Sequence, residues 1–142
     1  MAVPERAQRP DVDVAPAPRP RPAAPNRAAF HILRAAFTAL PLIAGVDKFF
    51  DVLTPWPSYL SPEISDLLGV APWSIMHAAG VVEILAGIMV ALRPRIGAWL
   101  VAVWLWIIAA NLFLLPGHYD IALRDLTLSL AAIALARLAA DS

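Results

Sequence analysis

The chain has 142 residues, is 60% hydrophobic with a mean hydropathy of +0.67, and carries zero formal net charge. An ordinary soluble domain is about half apolar, so the excess points to one membrane-embedded domain and the neutral balance gives no reason to expect a nucleic-acid partner. With no cysteine in the chain, thiol catalysis, disulfides, iron–sulfur clusters and cysteine-bound zinc are excluded.

Residues 1–27 form a zone of their own. "DVDVAPAPRPRPAAP" is rich in Pro, Ala and Arg and has almost no large apolar side chains. Such a stretch cannot bury enough surface to offset its ordering entropy, which predicts a disordered, partly polyproline tail. It lacks the short apolar core of a secretory signal. Its PxxP-like content would suit a partner domain, but a bland basic tail is the preferred reading.

Residues 28–142 then read as an all-α transmembrane four-helix bundle. Apolar segments span about 30–53, 72–92, 96–115 and 121–140. Helices of about 20 residues rise about 30 Å, the hydrocarbon thickness. Backbone facing lipid must satisfy its own hydrogen bonds, and strict two-residue alternation is missing, which argues for helices over a barrel. Between the first two segments lies "TPWPSYLSPEISDLLGVAPW". Ser61 as cap, Pro62 at the first helical position, Glu63 beside the dipole and Gly69 at the end predict a short interfacial helix. Trp56, Tyr59 and Trp73 suit a headgroup belt, with a lid over a site as the lesser alternative.

Arginine placement predicts the orientation. Arg6, Arg9, Arg19, Arg21, Arg27 and Arg34 precede or open the first span, Arg93 and Arg95 fill the turn between the second and third, and Arg137 lies near the end. The opposite loops carry Asp51, Glu63, Asp66 and Asp120. The positive-inside rule then puts both termini in the cytoplasm. The arginine-rich, lysine-poor composition suggests a GC-rich bacterial source, hence an inner membrane.

With that orientation the intramembrane polar residues gather in the outer half. Asp47 and Lys48 lie near the outer end of the first span, His77 in the outer third of the second, Asn111 in the outer third of the third, and Arg124 and Asp125 in the first turns of the fourth. Glu83 falls about 16 Å from Pro72, near mid-membrane. His77, Gly80, Glu83 and Gly87 follow spacings of three and four along one stripe, where the glycines admit a close neighbour. An ionised Glu83 facing lipid would cost about 3 to more than 10 kcal/mol. It must therefore be paired, hydrated or protonated, with Lys48 as the expected counter-ion and Asp47 turned toward Arg124 or water. Two cations against three acids leave one acid to take a proton. Buried pairs can also simply fix helix register. A histidine pair holding haem is not expected, because His31 and His118 lie at opposite ends. No metal is expected either, since the spacing of His77 and Glu83 is poor for two ligands on one helix. Of Trp104 and Trp106, one can line the interior against a flat ligand such as a quinone ring.

"LRAAFTALPLIAGVDKFF", "HAAGVVEILAGIMVAL" and "RDLTLSLAAIALA" together resemble the DoxX family of small four-helix membrane proteins over about residues 30–140. Gly45, Lys48 and Phe49 match its pattern at the end of the first helix. Gly80, Glu83 and Gly87 match its glycine-flanked glutamate. The Pro-rich tail is outside the pattern. The resemblance implies an accessory or quinone-interacting subunit of a membrane redox complex, with redox-complex proteins as partners. Lys48 and Glu83 would be central, and Asp47, His77, Asn111, Arg124 and Asp125 supporting. A non-enzymatic scaffold or assembly factor, and a small proton-coupled transporter acting as a homo-oligomer, are the alternatives.

Overall fold

A computed structural model of the chain describes residues 27–140. The expected disordered tail lies outside the described residues, apart from Arg27, which opens the first helix. The described chain is all-helical: α1 (Arg27–Asp47), a 3-10 turn (Trp56–Tyr59), α2 (Pro62–Leu68), α3 (Pro72–Leu92), α4 (Pro94–Phe113) and α5 (Tyr119–Leu138).

Proline sets three of the starts. α2, α3 and α4 each open on one, where its missing N–H would have no helical partner and its fixed φ suits the first turn. Gly69 ends α2 in the left-handed region at φ 62°, a conformation that costs glycine little. Arg93 is the whole connection between α3 and α4. Close by, the Arg34 guanidinium of α1 donates to the Ala91 carbonyl near the end of α3, meeting one of the acceptors a helix end leaves over.

The predicted first helix is too long. It stops at Asp47, well short of 53, and Lys48–Phe50 form a turn. Asp47 itself causes the stop: its carboxylate accepts the backbone N–H groups of Val52 at 3.2 Å and Leu53 at 3.0 Å. Asp51 takes φ 52°, and Pro55 and Pro57 follow. Short side-chain-to-backbone bonds of this kind compete directly with the helix ladder. The later helices occupy 94–113 and 119–138 in place of 96–115 and 121–140. The short interfacial helix is present as α2. Ser61 precedes it without capping an amide, because its hydroxyl donates instead to the Glu63 carboxylate. That bond holds the Glu63 carboxyl below its ordinary range.

α1, α3 and α4 are each long and apolar enough to cross a membrane. Exposed Ile43, Val46, Leu85, Val103 and Trp106 give these helices outward faces suited to hydrocarbon. α5 differs, since Asp120, Arg124, Asp125 and Arg137 interrupt its twenty residues. The long helices pack in the order α1, α3, α4, α5, with α5 touching α1 only lightly. Toward the Arg93 end the interior is closed by Phe37, Val90, Val101, Leu135 and a set of alanines that includes Ala86, Ala98 and Ala132. Small side chains let helix backbones approach where lipid offers no hydrophobic drive. Toward the other end, which carries the 48–71 segment, the helices part around a cavity.

Candidate functional site

The α1–α3 contact is built on glycine. A Cβ placed on Gly45 would meet the Gly80 carbonyl oxygen at 2.7 Å, and one on Gly80 would meet the Gly45 oxygen at 2.7 Å. Two turns along, Gly87 sits against the Thr38 carbonyl and Leu42. The predicted glycine stripe of α3 is therefore the seam that admits α1. That closeness brings Lys48, just past α1, over Glu83 on α3.

The Lys48 Nζ lies 2.7 Å from Glu83 Oε2, and both residues are 6% exposed. Two tryptophans complete the surroundings. Trp104 Nε1 of α4 donates to Glu83 Oε1 at 3.3 Å. The Trp56 ring lies 3.6 Å from the Lys48 ammonium, measured to its centroid, a cation–π arrangement that strengthens when desolvated. Glu83 thus has a partner for each oxygen, which a carboxylate at this depth requires.

Asp47 does not meet Arg124. It is buried, and beyond the Val52 and Leu53 amides it accepts the Trp56 indole N–H at 2.7 Å. The neighbouring acid and base of the "VDKF" stretch thereby do separate work: Asp47 folds the following segment back, and Lys48 turns inward. Trp56, expected in a headgroup belt, instead joins the two.

Asn111 on α4 is a clamp. Its Nδ2 donates to the Tyr59 carbonyl at 2.6 Å, and its Oδ1 accepts the Ser61 N–H at 2.9 Å. The two bonds fix the 3-10 turn and the start of α2 across the bundle end. Thr54, Trp56, Tyr59, Leu60 and Ile64 then roof a cavity of about 490 Å³. Its walls are overwhelmingly apolar, drawn from all four long helices, with Lys48, Glu83, Trp104, Asn111 and Asp125 among the polar groups that line it.

Two predicted members stand apart. Arg124 reaches the cavity rim, yet its side chain is 74% exposed and pairs at 3.4 Å with Asp120 one turn earlier on α5. It supplies no charge to Glu83, because successive helix positions are turned about 100° apart. His77 shares the α3 stripe but is stacked on Phe49 at 4.9 Å, with Trp73 edge-on at 5.5 Å, and does not line the cavity. Sequence reasoning preferred a headgroup belt for Trp56 and Tyr59 over a lid on a site, and left Trp104 and Trp106 undecided; both Trp56 and Tyr59 line the cavity. Trp104 faces in and Trp106 is exposed. No three potential His or carboxylate ligands gather to hold a metal among the described residues.

The arrangement can bind an apolar body and offer a few hydrogen-bonding groups at one end. Cavities of a few hundred Å³ with apolar walls and convergent polar groups are the usual form of a small-molecule site. Compared with protein-family models, curated proteins and solved structures, the chain matches none.

Proposed function

We propose that this is a DoxX-like integral membrane protein with four crossing helices and both termini in the cytoplasm. Its cavity receives the head of a lipophilic, quinone-type molecule, and the protein serves as an accessory subunit of a bacterial inner-membrane redox complex. One observation carries the proposal: an apolar cavity of about 490 Å³ ends on a buried Lys48–Glu83 pair in which both carboxylate oxygens have a donor. The apolar walls suit an isoprenoid or alkyl body. Trp104, Tyr59 and Trp56 offer flat surfaces to a ring. The third N–H of Lys48 and the Asn111 amide are donors for carbonyl oxygens. In this account α5 crosses with its charges near the outer surface, where Asp120 and Arg124 reach water.

Purification from the native host in mild detergent tests the proposal. Co-purifying redox subunits and a quinone in the lipid extract, seen by absorption, are the expected outcome. A pure oligomer carrying no quinone and no redox partner contradicts it.

A scaffold role is the second reading, favoured by the Gly45–Gly80 contact and the Lys48–Glu83 pair, which together fix how α1 and α3 meet. Buried pairs can serve register alone. If Glu83→Gln and Lys48→Met lower thermal stability and leave quinone-linked electron flow intact, the scaffold reading stands.

A further inference from the structure

Two cations and two acids line the cavity, Lys48, Arg124, Glu83 and Asp125, but they do not all pair with one another. Arg124 and Asp120 pair with each other at the rim and stay exposed. Asp47 is held by three N–H donors. Lys48 and Glu83 neutralise each other. That leaves Asp125 in the second turn of α5, which is partly buried and lines the cavity. Among the described residues it has no hydrogen-bond or ion-pair partner.

The groups around it come from every neighbouring element. α1 brings Lys48, α3 brings Glu83, α4 brings Trp104 and Asn111, and the roof brings Tyr59. Lys48 and Glu83 are the charged groups that share the cavity interior with Asp125, and Lys48 is already committed to Glu83. With Arg124 turned to Asp120 at the rim, the interior groups Lys48, Glu83 and an ionised Asp125 leave the cavity at −1 (+1, −1, −1) between apolar walls. A proton on Asp125 makes that interior neutral. Protonated, it becomes an O–H donor aimed into the cavity.

We propose that Asp125, in its protonated form, donates the hydrogen bond that recognises the acceptor oxygen of the cavity's ligand, so that each ligand bound requires one proton held on Asp125. The idea rests on the lipophilic-ligand reading above and narrows it. The cavity takes lipophiles with a carbonyl or comparable acceptor head and rejects lipophilic cations, which would call for the carboxylate. The sign follows directly. Affinity is greatest at low pH, where Asp125 carries its proton. It falls as pH rises through the Asp125 titration, by up to about tenfold per pH unit for one linked proton.

The test uses the full chain in lipid nanodiscs, titrated with a short-chain ubiquinone analogue and separately with tetraphenylphosphonium, at about pH 5 and about pH 9. The quinone analogue should bind at least about tenfold more tightly at the lower pH. Asp125→Asn, which cannot titrate, should bind it equally at both. His118 packs edge-on against Tyr59 at 5.1 Å, so His118→Gln is the control and should keep the wild-type dependence. Proton uptake on adding the analogue to wild-type protein in weak buffer gives the same answer without any variant, should Asp125→Asn fail to fold. Quinone binding that ignores pH, or pH dependence that survives Asp125→Asn, overturns the role of Asp125 and leaves the cavity reading intact. Phosphonium that binds more tightly than the quinone analogue at the lower pH also overturns it. Absence of saturable quinone binding at either pH removes both readings.

Discussion

Lys48 and Glu83 lie 35 positions apart in the chain and 2.7 Å apart in space, and the pair joins α1 to α3 where their backbones are closest. Removing one partner leaves a buried charge exposed to apolar walls. Lys48→Met and Glu83→Leu should therefore each destabilise the protein by about 3–5 kcal/mol. Lys48→Met with Glu83→Leu should recover most of that loss. Thermal melts of the purified variants check the cycle, and strict additivity of the two single losses would show that the pair is not coupled.

Gly45 and Gly80 have no room for a side chain, since a Cβ on either reaches the other's carbonyl at 2.7 Å. Gly80→Val should push the helices apart and cost about 1–3 kcal/mol. It should also lengthen the Lys48–Glu83 contact, so ligand binding falls along with stability. Gly69→Ala is a contrast: nothing lies near that Cβ, and only the φ of 62° is strained. Its cost should be about 1 kcal/mol, with binding unchanged.

The sequence carries much of this. Apolar runs mark the helices, and spacings of three and four align Gly80, Glu83 and Gly87 on the face that meets α1. From there, Lys48 follows as the counter-ion of Glu83. What stayed hidden depends on the chain's path after Asp47. The run "KFFDVL" is apolar enough to read as more helix, and only the bonds from Val52 and Leu53 back to Asp47 turn it aside. Because that turn was not visible, Trp56 read as a belt residue and Asp47 seemed destined for Arg124. Arg124 has a nearer acid in Asp120, one helical turn away.

Asp47 should thus act on the loop more than on the ion pair. Asp47→Ala removes the acceptor for two amides and the Trp56 indole. A cost of about 1–3 kcal/mol is expected, with faster amide exchange at Val52 and Leu53. Trp56→Phe keeps the ring over Lys48 while losing the indole donor, and should show a smaller version of the same change. Unaltered exchange in Asp47→Ala would refute the turn.

Asn111→Leu cuts both bonds that hold the roof, to Tyr59 and Ser61. Bilayer-facing surface is untouched, so the helices should persist in circular dichroism. Residues 54–64 should exchange faster, and ligand should dissociate faster because the cavity loses its cover. Retention of wild-type exchange there would mean that the roof is held by packing alone.

The most direct test of a quinone-type ligand at the Lys48–Glu83 pair is photolabelling of the full chain in nanodiscs with an azidoquinone, mapped by mass spectrometry. The account predicts saturable labelling on cavity residues such as Tyr59, Trp104 and Asn111, suppressed by unlabelled quinone and lost in Lys48→Met. Labelling that is non-saturable, or scattered over lipid-facing positions such as Val103 and Trp106, would contradict it.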